Sequence, residues 1–81
     1  MPYNPVPKIK AAILKIRNNG DQAINYKDLI TALIVETGAV REETLDNYVD
    51  IAIRLKLIKQ EPVRMSEKLV YAILPEKEWL V

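Results

Sequence analysis

The stretch from Thr44 to Lys59, TLDNYVDIAIRLKLIK, changes its apolar spacing part-way along and thereby decides the fold. Leu45, Val49 and Ala52 recur at the spacing of one face of an α-helix. From Ile58 onward the apolar residues instead follow the alternating period of a β-strand. The stretch therefore predicts an amphipathic helix that leads directly into a strand.

Local stop and start signals predict two further helices upstream. Apolar residues at helical spacing predict the first helix over residues 8–18, after a proline-rich lead-in. Asn25 has the side chain of a helix N-cap, and Gly38 suits a left-handed C-terminal cap, so the second helix is predicted over Tyr26–Thr37. In the connection that follows, Val40 is expected to insert between two helices.

Downstream of the third helix, which is predicted to end near Leu55, the sequence indicates a β-hairpin. The two candidate strands are Ile58–Met65 and Leu69–Leu74. Pro62 lacks a backbone donor, which favours an edge position or a break in pairing for the first strand.

This order, three helices followed by a two-stranded β-hairpin with a short extended piece between the first two helices, resembles the winged helix-turn-helix family, an α+β fold. Residues 44–58, followed by Lys59, are similar to the family's recognition helix and first wing strand. Lys56 stands where the family often has Gly, so it is expected to adopt the left-handed backbone at an energetic cost. The predicted organisation is an N-terminal arm (1–6), a winged helix-turn-helix domain (7–74) and a C-terminal tail (75–81).

The amino-acid composition limits the classes of function that this chain can have. The chain has 81 residues, 49% of them apolar, and a net charge of only +1. Without Cys or His it lacks the commonest metal ligands and the commonest acid–base catalyst, so no enzyme activity, cofactor or metal is predicted. No apolar run approaches a membrane span, which predicts a cytoplasmic protein without membrane contact. The ten Ile and absent Cys also suit a heat-tolerant protein.

The resemblance implies a DNA-binding transcriptional regulator that uses the third helix and the wing on double-stranded DNA. Asn47 can pair with adenine, and Thr44 can contact a thymine methyl group or a phosphate. The cationic candidates lie at helix ends and beside the wing turn, where they can meet phosphates. Each position also fits an ordinary solvated surface side chain. The predicted contact residues are Lys27, Arg41, Thr44, Asn47, Arg54, Arg64 and Lys68.

The charge of the third helix supports a different interpretation. From Arg41 to Asp50 there are one positive and four negative side chains, a net charge of −3, which repels phosphate. The alternative hypothesis is therefore a protein-interaction module whose acidic third helix docks on a basic partner.

Aromatic residues leave two alternatives open. Tyr26, Tyr48 and Tyr71 can stack on bases, or fill the core. Trp79, with Leu80 and Val81, can fold back onto the core or bury itself against another subunit. A homodimer is expected for a DNA-binding protein of this size, because one short module buries too little surface for strong site discrimination.

Overall fold

The computed structural model describes residues 4–20, 22–61 and 70–81, and over these residues the chain is an α+β domain with three α-helices and a three-stranded antiparallel sheet. Among these described helices, none combines the length and apolar character needed to cross a bilayer. The elements are α1 (Val6–Asn18), β1 (Ala23–Asn25), α2 (Tyr26–Thr37), α3 (Glu42–Arg54), β2 (Ile58–Glu61), β3 (Val70–Ile73) and a 3-10 helix (Glu76–Glu78).

Capping residues set the helix boundaries. The Asn25 side chain accepts a hydrogen bond from the Asp28 backbone N–H at 2.8 Å, and α2 ends at Gly38, whose φ is 77°. Both caps and both ends of α2 are confirmed as predicted. Helix α1 begins at Val6, two residues before the predicted Lys8. Pro7 is compatible with the first turn because it has no backbone N–H, and the N–H groups of a first turn have no partner within the helix.

The sheet differs from the predicted two-stranded hairpin because β1 joins it. The strand order is β1-β3-β2, with Ile24 opposite Tyr71 and Ile58 opposite Ile73. The segment from Gln22 to Ile24 is too short for the alternation of apolar and polar residues that marks a strand. Its partner, β3, lies far along the chain, so the sequence around this segment does not indicate the pairing. The short extended piece predicted between the first two helices is therefore a third strand, paired with β3, and the sheet is larger than the predicted two-stranded hairpin. The part of the predicted hairpin between β2 and β3 lies outside the described residues.

The core lies between the helices and one face of the sheet. The predicted stripe of α3 is buried at Leu45, Val49 and Ala52, and Leu55 is half-buried. Val40 is 78% exposed, so the prediction that it inserts between helices is wrong, and Ala39 packs against the core instead. The buried residues are Ile9, Ala12, Ile13, Ile16, Leu29, Leu33, Leu45, Tyr48, Val49, Ala52, Leu57, Ile58, Tyr71 and Trp79.

Residues 75–81 fold against the domain. Trp79 is buried in the core of its own chain, and its indole N–H donates to the Leu74 carbonyl at 2.9 Å. The Leu80 backbone N–H donates to the Leu55 carbonyl at 2.8 Å. Of the two alternatives for Trp79, the structure shows the first, in which Trp79 folds back onto the core of its own chain.

A left-handed residue joins α3 to β2. Lys56 has a φ of 65°, as its position predicted, and the Leu57 N–H then donates to the Ala52 carbonyl at 2.9 Å. This bond satisfies a carbonyl at the end of the helix in the manner of a C-terminal cap. The chain thereby turns from α3 into β2 within a few residues, which fixes the helix relative to the sheet.

Candidate nucleic-acid interface

Helix α3 turns one polar stripe toward solvent. Glu43, Asn47, Asp50 and Arg54 are all exposed and follow one another at intervals of four, three and four positions, so they share one face of the helix. The opposite face carries the buried residues of the core. The exposed stripe is thus rigidly positioned by packing behind it, as a binding surface requires.

The predicted contact residues do not all fall on this stripe. Asn47 and Arg54 lie on it, seven positions and about 10 Å apart along the helix. Arg41 is exposed at the N-cap of α3, and Lys27 is exposed in the first turn of α2. Thr44 is half-buried, so less of its side chain is open to a ligand. Arg64 and Lys68 lie outside the described residues.

Arg54 is engaged in an ion pair. Its Nε lies 2.9 Å from Oδ2 of Asp50, one helical turn earlier, and both side chains are more than half exposed. Because water screens such a pair, it contributes little to stability. It does place the two opposite charges side by side, so that each offsets the other at this end of α3. The four-residue spacing is a signal for this pair that the sequence already contained.

Asp46 is engaged by a residue from another helix. The Tyr26 hydroxyl, at the start of α2, donates a hydrogen bond to the Asp46 carboxylate. This bond, together with burial and the negative charge of Asp46, raises the pKa of Tyr26 to about 12. Tyr26 therefore neither stacks freely nor lies wholly in the core, whereas Tyr48 and Tyr71 are buried.

Two of the four acidic side chains of α3 are thus occupied within the chain. The other two, Glu42 and Glu43, are exposed in the first turn, where carboxylates interact favourably with the helix dipole. Among the described residues, neither of them has an ion-pair partner, and the same is true of Lys27 and Arg41. The unpaired charge near the start of α3 is therefore mixed in sign.

The cations of α1 belong to a different surface. Lys15 pairs with Glu36 of α2 at 2.7 Å, and Arg17 lies 3.6 Å from Glu76. These contacts connect α1 to its neighbours and leave Lys8 as an exposed cation near the start of the helix. The cations of α1 named here are therefore divided between ion pairs and solvent.

The described residues contain no group of three or more acidic side chains placed to hold a metal ion. No protein-family model, curated protein or solved structure matches the chain. The arrangement of α3 and its surroundings is therefore the basis for assigning a function.

Proposed function

We propose that this chain is a winged helix-turn-helix domain that binds double-stranded DNA, with α3 in the major groove and the β2–β3 hairpin beside it. The observation that carries the proposal is the order α1-β1-α2-α3-β2-β3, with β1 paired to β3 and α3 running directly into β2. In this arrangement a helix with an exposed polar stripe and a β-ribbon are held together by one core.

The dimensions of α3 suit this role. The helix has 13 residues and is thus about 20 Å long, and the major groove of B-DNA admits an α-helix. Asn47 occupies the middle of the exposed stripe, where its amide can form two hydrogen bonds to adenine. Arg41 and Lys27, at the starts of α3 and α2, are placed to contact phosphates. Such a domain would act as a transcriptional regulator.

One of the four acidic side chains of α3 already has a positively charged partner, because Asp50 pairs with Arg54. Asp46 accepts a hydrogen bond from Tyr26, but the tyrosine is neutral and leaves the carboxylate charged. Asp46, Glu42 and Glu43 therefore repel phosphate. The proposal therefore implies modest affinity that falls as salt is raised, with base readout rather than charge supplying much of the preference.

Titration of a labelled duplex of mixed sequence, followed by fluorescence anisotropy at low and moderate salt, tests this proposal. We expect binding at low salt that weakens at moderate salt. Arg41→Ala should weaken binding to every sequence, whereas Lys8→Ala, on α1, is a matched control that should not. No binding at low salt to any of a set of mixed duplexes would eliminate the proposal.

A second candidate is a protein-interaction module, and the exposed pair Glu42 and Glu43 favours it. Both carboxylates are exposed at the start of a helix that is packed on the core, and neither has an ion-pair partner among residues 4–20, 22–61 and 70–81, so a basic partner can reach them. The double variant E42Q/E43Q distinguishes the two functions. If the domain binds DNA, the variant should bind duplex DNA more strongly; if it is a protein-interaction module, the wild type should bind a lysine-rich synthetic peptide and the variant should bind that peptide more weakly. The variant E36Q/E76Q removes the same charge from two side chains that pair with cations of α1, outside α3, and serves as the control.

A further inference from the structure

A shallow groove lies beside the last residues of the sequence, away from the polar stripe of α3. It has a volume of about 570 Å³ and is lined by Lys56, Lys59, Leu74, Glu78 and Leu80. Two apolar side chains thus stand among charges of both signs.

The backbone that carries Leu80 is fixed to the fold. Trp79 is buried in the core and its indole N–H donates to the Leu74 carbonyl, and the Leu80 N–H donates to the Leu55 carbonyl. The Leu80 side chain is nevertheless 64% exposed, and its neighbour Val81 is 48% exposed. The chain therefore holds the Leu80 side chain in water although its backbone N–H is bound to the fold, and two adjacent exposed apolar side chains suit an interaction surface.

The charges of the groove have no partners within the described part of the chain. Among residues 4–20, 22–61 and 70–81, no ion pair involves Lys56, Lys59 or Glu78. A ligand of one sign would compensate one part of this surface and be repelled by the other. A surface that carries both signs around an apolar centre can match a second copy of itself when a two-fold rotation brings each cation opposite the anion of the other copy.

We propose that a second copy of this chain occupies the groove, forming a homodimer with two-fold symmetry. Leu74 and Leu80 of each copy form the apolar centre, and Lys59 of each copy pairs with the Glu78 carboxylate of the other. In an isologous interface each such pair occurs twice, so two lysine–glutamate pairs flank the leucines. This inference does not depend on the proposed function, although a dimer would supply two copies of α3 to two half-sites of a duplex.

Sedimentation equilibrium of the whole 81-residue chain without DNA, over a range of concentrations, tests the dimer. We expect a monomer–dimer equilibrium in the wild type and at least a tenfold loss of association constant in Leu80→Glu. Val35→Glu is the matched control, because Val35 is an apolar residue that is 76% exposed on α2, outside the groove. A wild type that stays monomeric, or equal effects of the two variants, would overturn the proposal.

A charge exchange tests the pairing of Lys59 with Glu78 and does not require a change in the apolar residues. Lys59→Glu alone should weaken the dimer about tenfold, because it places two carboxylates opposite each other. The double variant K59E/E78K should restore most of the loss. If the double variant associates no better than Lys59→Glu, the two-fold arrangement is wrong. Circular dichroism of each variant verifies that the fold is retained.

Discussion

The Tyr26 hydroxyl, in the first turn of α2, donates a hydrogen bond to the Asp46 carboxylate on α3. The two residues lie 20 positions apart, so the bond connects two helices that the sequence separates by a turn. It also holds the Asp46 carboxylate, which keeps its negative charge, against the start of α2 and so limits its freedom to contact a ligand. This contact therefore has consequences both for titration and for binding.

Asp46→Asn should lower the pKa of Tyr26 from about 12 toward its ordinary value of 10.0, because the carboxylate opposes ionisation of the tyrosine. The measurement is the ultraviolet absorbance of tyrosinate as pH is raised. Subtracting the titration of Tyr26→Phe from that of the wild type isolates the signal of this residue. An unchanged titration of Tyr26 in the Asn variant would show that Asp46 does not cause the shift.

The same contact makes stability depend on alkaline pH. The folded protein favours the protonated Tyr26, so its folded pKa lies above the unfolded value, and the stabilisation is present below about pH 10 and lost as pH rises toward 12. The free energy of unfolding of the wild type should thus fall more steeply over this range than that of Tyr26→Phe. Burial also raises the pKa of Tyr71. Tyr71 is present in both the wild type and Tyr26→Phe, so its effect on stability is common to the two curves. Parallel curves from chemical denaturation would contradict this account.

Trp79 should be an anchor of the fold even though it stands near the end of the sequence. It is 7% exposed, so Trp79→Ala should destabilise the chain by about 3–5 kcal/mol through the loss of buried aromatic surface. Trp79→Phe keeps most of that surface but leaves the Leu74 carbonyl without its donor, a loss of about 1 kcal/mol. Thermal and denaturant unfolding measure both. Lys77→Ala, at an exposed neighbour, should be close to neutral, and an equally small effect of Trp79→Ala would contradict the anchoring role.

Lys56→Gly should stabilise the protein. Lys56 has a φ of 65°, a conformation that glycine adopts without the steric cost of a side chain, and we expect a gain of about 0.5–1 kcal/mol after allowing for glycine's greater freedom in the unfolded chain. Lys56→Ala also removes the lysine side chain but keeps the Cβ atom, so it should show no such gain. Denaturant unfolding at concentrations where the chain is monomeric compares the two. Equal effects of Gly and Ala would exclude backbone strain as the cause.

Features encoded by neighbouring residues could be predicted from the sequence. Asn25 and Gly38 are the residues next to the two ends of α2, and their capping chemistry marks those ends. The left-handed backbone of Lys56 likewise follows from its position just after a helix. The pair of Asp50 with Arg54 has the spacing of adjacent helical turns. These features depend on local chemistry, which a single sequence displays.

Features that depend on distant residues could not be predicted in the same way. The pairing of β1 with β3 and the bond of Tyr26 to Asp46 join segments far apart in the chain, and nothing in their local composition indicates the partner. Val40 has an apolar side chain typical of a core residue, yet the turn directs it into solvent. For the same reason the sequence identified the polar residues of α3 but not the contact of Asp46 with α2.

Mapping the amide chemical shifts of the isotope-labelled protein during titration with a duplex of mixed sequence at low salt tests whether α3 contacts DNA. We expect the largest shifts to cluster on the exposed stripe of α3, around Asn47, and at the first turn of α2, around Lys27. Shifts confined to α1 or to the groove beside Leu80, or spectra that do not change when DNA is added, would contradict this expectation.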